Sequence, residues 1–233
     1  MRVLLTGATG VAGLGALRVL LQDESFTHVT TLTRRRLPSW IELPGGTKAS
    51  SPDSSPTHPR LTTLTQPTFA EYSSDIRSVL PGQDACIWAL GSSSSGKSEE
   101  EYTELIIGYL KTVLDALKEA GVGTEEKPFR FVFVSGDGAD SSEKSMILFA
   151  RVKGKAENML LKFAEESGGH FKPFILRPAY FFPSRKYPQD ELHQRGGEDL
   201  GRFAAEAAKG TWDGKGPIFE NQEMKRLLRE MKF

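Results

Sequence analysis

The sequence holds one cysteine, Cys86, in 233 residues, so no disulfide forms within the chain and no thiolate cluster can hold a metal. Net charge is absent as well: 30 lysines and arginines balance 30 aspartates and glutamates. That balance removes the electrostatic case for nucleic acid or an anionic membrane as the main partner. Histidine is scarce, and His28, His58, His170 and His193 stand in scattered turn-like or polar stretches without metal-ligand spacing, so no metal site is expected. No apolar run approaches the roughly 18 residues of a membrane helix. The N-terminus shows neither the charge pattern nor the cleavage site of a signal peptide. These absences lead to the expectation of one cytoplasmic domain over residues 1–233.

What is present is an alternation of short apolar runs with longer stretches of helical period. RVLLT at residues 2–6 reads as a strand and residues 11–22 as the helix after it. Further strands are expected at 29–33, 61–64, 85–90, 129–134 and from 174. Between them, Ile106, Tyr109 or Leu110, Val113 and Leu117 fall on one helix face, and Phe149, Val152, Ala156, Met159 and Phe163 on another. Strand–helix alternation implies βαβ units. The expected fold is therefore α/β: a Rossmann-like, doubly wound parallel sheet of about six strands in a three-layer αβα domain. Residues 44–60, PGGTKASSPDSSPTHPR, are almost wholly Pro, Gly, Ser, Thr and charge, and are expected to form a mobile loop. Residues 184–233 read as a polar tail on the substrate side that ends in a helix over 221–231.

TGATGVAG places Gly7, Gly10 and Gly13 between the first strand and its helix. In that context the turn reads as a dinucleotide cradle. Gly7 lets the chain leave the strand sharply, Gly10 lets backbone approach a pyrophosphate, and Gly13 lets helix and strand pack closely. The helix N-terminus adds unpaired N–H groups and a positive dipole end. Which dinucleotide is bound depends on the end of the second strand, where carboxylates suit a free ribose and arginine suits a 2′-phosphate. Here the sequence is TTLTRRRLP. Arg34 and Arg35, with Arg36 beside them, favour NADP(H) over NAD(H), the alternative being a solvated basic turn.

TGATGVAG, WALGSS, FVFVSGDGAD, RVKGKAE and LRPAYFFP follow one another in that order. Together they resemble the atypical short-chain dehydrogenase/reductases, especially the small branch related to the Tat-interacting oxidoreductase-like proteins. The resemblance implies that Gly7, Thr9, Gly10, Val11 and Gly13 line the pyrophosphate, and that Leu90 and Gly91 pass the ribose or nicotinamide side. It implies that Ser135 orients a substrate carbonyl and that Lys153 holds the nicotinamide ribose. Pro178, with Ala179, matches the loop that approaches the nicotinamide.

The family's tyrosine belongs four residues before that lysine, and this chain has Phe149 there. A phenyl ring keeps the packing but cannot donate a proton to a developing alkoxide. General acid catalysis of that kind is typically worth about 10²–10⁴ in rate. Three alternatives stay open: Tyr180 supplies a hydroxyl, Lys153 acts as acid or base itself, or the protein binds cofactor without turnover and contacts a protein partner. An epimerase- or dehydratase-like activity on a nucleotide sugar is weaker, because little chain remains for a substrate subdomain. The expected ligands are thus NADP(H) with a small carbonyl or unsaturated substrate, or NADP(H) with a protein. Cys86, flanked by Ala85 and Ile87, reads as a small buried hydrophobe. Asp137, Asp140 and Glu143 read as loop carboxylates, solvated or in contact with substrate.

Overall fold

The computed structural model describes residues 1–179 and 197–231. Seven strands form one parallel sheet: β1 (Arg2–Thr6), β2 (His28–Thr33), β3 (Leu61–Thr65), β4 (Ala85–Trp88), β5 (Phe129–Val134), β6 (Phe171–Arg177) and β7 (Ile218–Glu220). Their order across the sheet is β3-β2-β1-β4-β5-β6-β7, and every neighbouring pair is parallel. The first six reproduce the 3-2-1-4-5-6 order of doubly wound dinucleotide-binding sheets, with the direction of winding reversing between β1 and β4.

The central strands read as unbroken apolar runs because both of their faces are covered. Val3 and Leu5 point into one core with α1 (Val11–Gln22), α6 (Gly197–Lys209) and α7 (Asn221–Glu230). Leu4 points into the other, beneath α2 (Ser74–Val79), the helix α3–α4 (Glu99–Thr103 and Tyr109–Glu119) and α5 (Leu148–Glu166). Ile106, Leu110, Val113 and Leu117 are all buried, as the helical spacing predicts, although Glu104–Gly108 between α3 and α4 is wound as a π-helix.

Two elements exceed the expectation of about six strands and a polar tail. β7 is only three residues long, too short for an alternation signal, and it pairs with Ile175–Arg177 alone. β6 consequently has an open edge at Pro173, where a missing N–H is tolerated. α6 carries Gly201 in its interior, which weakens helix propensity by about 1 kcal/mol. The glycine has a packing reason. A Cβ on Gly201 would stand 2.7 Å from the backbone carbonyl carbon of Gly15, and one on Gly15 would stand 2.3 Å from Gly197 O. α1 and α6 therefore cross backbone to backbone. Within residues 44–60, Thr47 and Thr57 form an antiparallel bridge, and Ser55 Oγ donates to Leu37 O at 2.7 Å.

Candidate functional site

Because all strands run the same way, their carboxyl ends share one edge, and the segments that leave it build a cleft of about 370 Å³. Its walls come from the glycine turn after β1 (Gly7, Thr9, Gly10), from Arg34, Arg35 and Arg36 after β2, from Phe69 after β3, and from Ala89, Leu90 and Gly91 after β4. Val11 begins α1 and Gly13 is buried within its first turn.

The three glycines serve different ends. Gly7 sits at φ +70°, and a Cβ there would lie 2.2 Å from Ala89 O. On Gly13 a Cβ would lie 2.1 Å from Gly7 O. Both are glycine for internal reasons. On Gly10 a methyl would meet nothing nearer than Gly7 O at 3.4 Å, an ordinary contact, so the space beside it belongs to the cleft. Gly10 caps α1 without a side-chain hydrogen bond. The first-turn N–H groups and the dipole end of α1 are thus presented to an anion.

Arg34, Arg35 and Arg36 are all exposed at the cleft rim, but they are not equivalent. Arg36 Nη1 donates to Asp53 O, tying this end of the cleft to the segment bridged by Thr47 and Thr57. Phe69 is fully buried and meets Trp88 edge-on at 5.9 Å and Tyr109 at 5.8 Å.

The far side of the cleft leads to α5. Gly91 is its junction: a Cβ there would lie 3.9 Å from Lys153 Nζ. Lys153 is buried, donates to Val134 O at 3.1 Å and stands 4.8 Å over the Phe133 ring. Burial outweighs the attraction of nearby Glu157 and brings its pKa down from the ordinary 10.5 to about 8. The unfolded chain then holds more protons between about pH 8 and 10.5, so this group's contribution to stability rises with pH across that window. Lys153→Met is expected to raise the unfolding free energy most below pH 8, with the gain fading toward pH 10.5. Urea unfolding of both proteins at pH 7 and pH 10 checks this, and an equal difference at the two pH values contradicts it.

Phe149 is half-buried one turn before Lys153, and its ring tip lies at Gly136, where a Cβ would meet Cζ at 2.6 Å. Ser135 follows Val134 and is buried. Its hydroxyl donates to Glu157 Oε1 at 2.5 Å. Pro178 is buried, and its carbonyl accepts from Asp137 N at 2.9 Å, joining the segments that follow β5 and β6. Tyr180 lies outside the described residues.

Two residues of this constellation escape sequence reading. Glu157 is fully buried and takes a two-point ion pair from Arg177, with Nε to Oε1 at 3.1 Å and Nη2 to Oε2 at 2.5 Å. Arg177 also reaches Ser141 Oγ at 2.7 Å and Glu220 Oε1 at 2.8 Å. The one available signal is spacing, since Glu157 stands four residues after Lys153 on the same helix face. Asp137 is exposed, whereas the Asp140 carboxylate accepts four hydrogen bonds from its own loop, two from Ser142 and one each from the backbone of Lys144 and Ser145. Cys86 is wholly buried in β4, which pushes its thiol pKa up and leaves it unreactive.

A short-chain dehydrogenase from Burkholderia cenocepacia, solved in complex with NADP, superposes with a TM-score of 0.63 over 99% of this chain and 93% of its own, at 13% identity. The fold is that of the short-chain dehydrogenase/reductases. UDP-N-acetylglucosamine 4-epimerase from Bacillus cereus shares it, with a TM-score of 0.60 over 99% of this chain and 84% of its own, at 16% identity. No family model matches the sequence. Among curated proteins, "Protein FMP52, mitochondrial" of Candida albicans is 27% identical over 213 residues, 91% of this chain and 79% of that protein. Relatives from Lodderomyces elongisporus, Emericella nidulans and Chaetomium globosum carry the same mitochondrial name. The expectation of a cytoplasmic protein is corrected by these relatives. It rested on the absence of a recognisable leader and of charge imbalance, and neither absence reports a compartment. Among the described residues no helix is long and apolar enough to cross a membrane.

Proposed function

We propose that the chain is an NADP(H)-binding reductase of the atypical short-chain kind, in the small branch related to the Tat-interacting oxidoreductase-like proteins. It would move a hydride between the nicotinamide and a small carbonyl or unsaturated substrate. The observation that carries this reading is the cleft itself, which joins an uncrowded Gly10 at the N-terminus of α1 to Arg34 and Arg35 at the end of β2. The solved relative with NADP bound supports a nicotinamide ligand by analogy of fold.

In this reading the α1 N-terminus with Gly7, Thr9, Gly10, Val11 and Gly13 holds the pyrophosphate. Arg34 and Arg35 hold the 2′-phosphate, each offering a planar fork of donors. Leu90 and Gly91 pass the ribose, and Lys153 bonds the nicotinamide ribose beside Pro178. The cofactor supplies the hydride. Phe149 has no proton to give, so Lys153, whose buried ammonium loses its proton more readily than an exposed one, is the proton-bearing side chain at this strand end. Tyr180 is the alternative proton donor that the sequence offers.

Replacing Arg34 and Arg35 together by alanine tests the 2′-phosphate assignment. Charge-assisted hydrogen bonds are worth about 1.5–3 kcal/mol each. NADPH affinity is therefore expected to fall by at least about tenfold, with NADH affinity little changed. Equal loss for both cofactors would remove the arginines from the phosphate. A second reading, a cofactor-bound sensor that contacts a protein partner without turnover, is favoured by Phe149 alone.

A further inference from the structure

The serine-rich segment between β2 and β3 contains two Ser-Pro pairs, Ser51-Pro52 and Ser55-Pro56. The structure treats them differently. Ser55 Oγ donates to Leu37 O at 2.7 Å, and Pro56 is buried. Ser51 and Pro52 are exposed, and the Ser51 hydroxyl makes no hydrogen bond among the described residues. Ser54, between the two pairs, spends its own hydroxyl on Ser51, accepting from Ser51 N and donating to Ser51 O at 2.9 Å each. Ser51 is therefore the one serine of the two pairs whose hydroxyl is both exposed and unengaged.

Its position links it to the cleft. Ser54 N donates to Ser51 O at 3.1 Å, which closes residues 51–54 into a turn with Pro52 at the second position, where its fixed φ suits. The carbonyl at the third position, Asp53 O, accepts from Arg36 Nη1. That neutral oxygen is the only hydrogen-bond partner of Arg36 among the described residues. Arg36 also lines the cleft beside Arg34 and Arg35. One guanidinium thus joins the turn of the exposed serine to the cationic rim, and the Thr47–Thr57 bridge holds the segment there.

We infer that Ser51 is a phosphorylation site for a proline-directed serine kinase, and that a phosphate there weakens the hold of the cleft on NADPH. The phosphoryl donor is ATP. The bond from Ser51 Oγ to the γ-phosphorus forms, the bond from that phosphorus to the β,γ-bridging oxygen breaks, ADP leaves, and the serine proton passes to the base of the kinase. Phosphoserine carries about −1.5 to −2 charges and three strong acceptor oxygens. It is a better partner for Arg36 than a neutral carbonyl, and it brings like charge to the rim that meets the 2′-phosphate. The effect on the cleft rests on the NADP(H) reading above, whereas the modification of Ser51 does not.

Two measurements test the inference. In the first, the purified chain is incubated with an activated mitogen-activated protein kinase and ATP, and the modified residue is mapped by mass spectrometry. Phosphate is expected on Ser51 before Ser55; phosphate on Ser55 first, or on neither, would overturn the site. In the second, protein with phosphoserine installed at Ser51 during synthesis is titrated with NADPH and with NADH beside the unmodified protein. NADPH affinity is expected to fall by about fivefold or more, the lower end of ordinary coupling between two sites. NADH, which lacks the 2′-phosphate, is expected to lose less, and the NADPH loss should shrink at high salt, where charges are screened within a few ångströms. Unaltered NADPH affinity, or equal losses for both nucleotides, would overturn the coupling while the cleft keeps its ligand. Failure of the unmodified protein to bind either nucleotide would overturn the NADP(H) reading and the coupling with it, and the kinase measurement would still decide the site.

Discussion

Phe149→Tyr is expected to raise the turnover of a small ketone with NADPH by about 10²-fold or more, the usual worth of a positioned general acid. The ring is already in place. It stands one helical turn before Lys153 and its tip reaches Gly136, next to Ser135 at the end of β5. Gly136 has no side chain to obstruct a hydroxyl added at Cζ. Lys153, buried beside Val134 O and the Phe133 ring, stands one helical turn on, where a positive charge would favour a phenolate. The readout is the initial rate of NADPH oxidation with a panel of small ketones, wild type against variant. An unchanged rate would mean that the rest of the site has been remodelled away from carbonyl chemistry.

The largest expected loss of stability comes from Gly154→Ala. Gly154 follows Lys153 on α5, and a Cβ there would fall 1.8 Å from the backbone oxygen of Asp140. That oxygen cannot move away cheaply. Asp140 N is bonded to Ala150 O at 2.9 Å, and the Asp140 carboxylate is fastened to its loop by four further hydrogen bonds. Overpacking of this kind costs typically 1–3 kcal/mol, and backbone against backbone puts this case at about 3 kcal/mol. For a domain of this size that lowers Tm by roughly 6–12 °C. Gly214→Ala is the control, since nothing lies within 4 Å of its added Cβ, and it should change stability by no more than about 0.5 kcal/mol. A thermal scan showing no difference between the two variants would contradict the packing described between α5 and the loop after β5.

The sheet was legible because buried parallel strands must be apolar on both faces. VLL, ACIW and FRFVFV announce β1, β4 and β5 without any alternation to decode. The glycine turn was legible for a similar reason, since Gly7 and Gly13 answer local crowding that any sequence making this turn must answer. α6 was not, because its Gly201 serves a crossing with Gly15, nearly 190 residues earlier in the chain, and reads locally as a helix breaker. The π-wound turn at Glu104–Gly108 shifts the helix by a residue and leaves the apolar spacing almost unaltered. The hydrogen bond that engages the Ser135 hydroxyl was out of reach altogether. It is set by Glu157 from α5 and Arg177 from β6, with Ser141 and Glu220 behind them, and no periodicity links those positions.

NADP(H) is the ligand we propose for the cleft at the strand ends. Titrating the purified protein with NADPH and with NADH, and following the fluorescence of the reduced nicotinamide, tests it most directly. Micromolar binding of NADPH with weaker binding of NADH is the predicted result. Binding of neither cofactor, in protein whose folding is verified by circular dichroism, would contradict it.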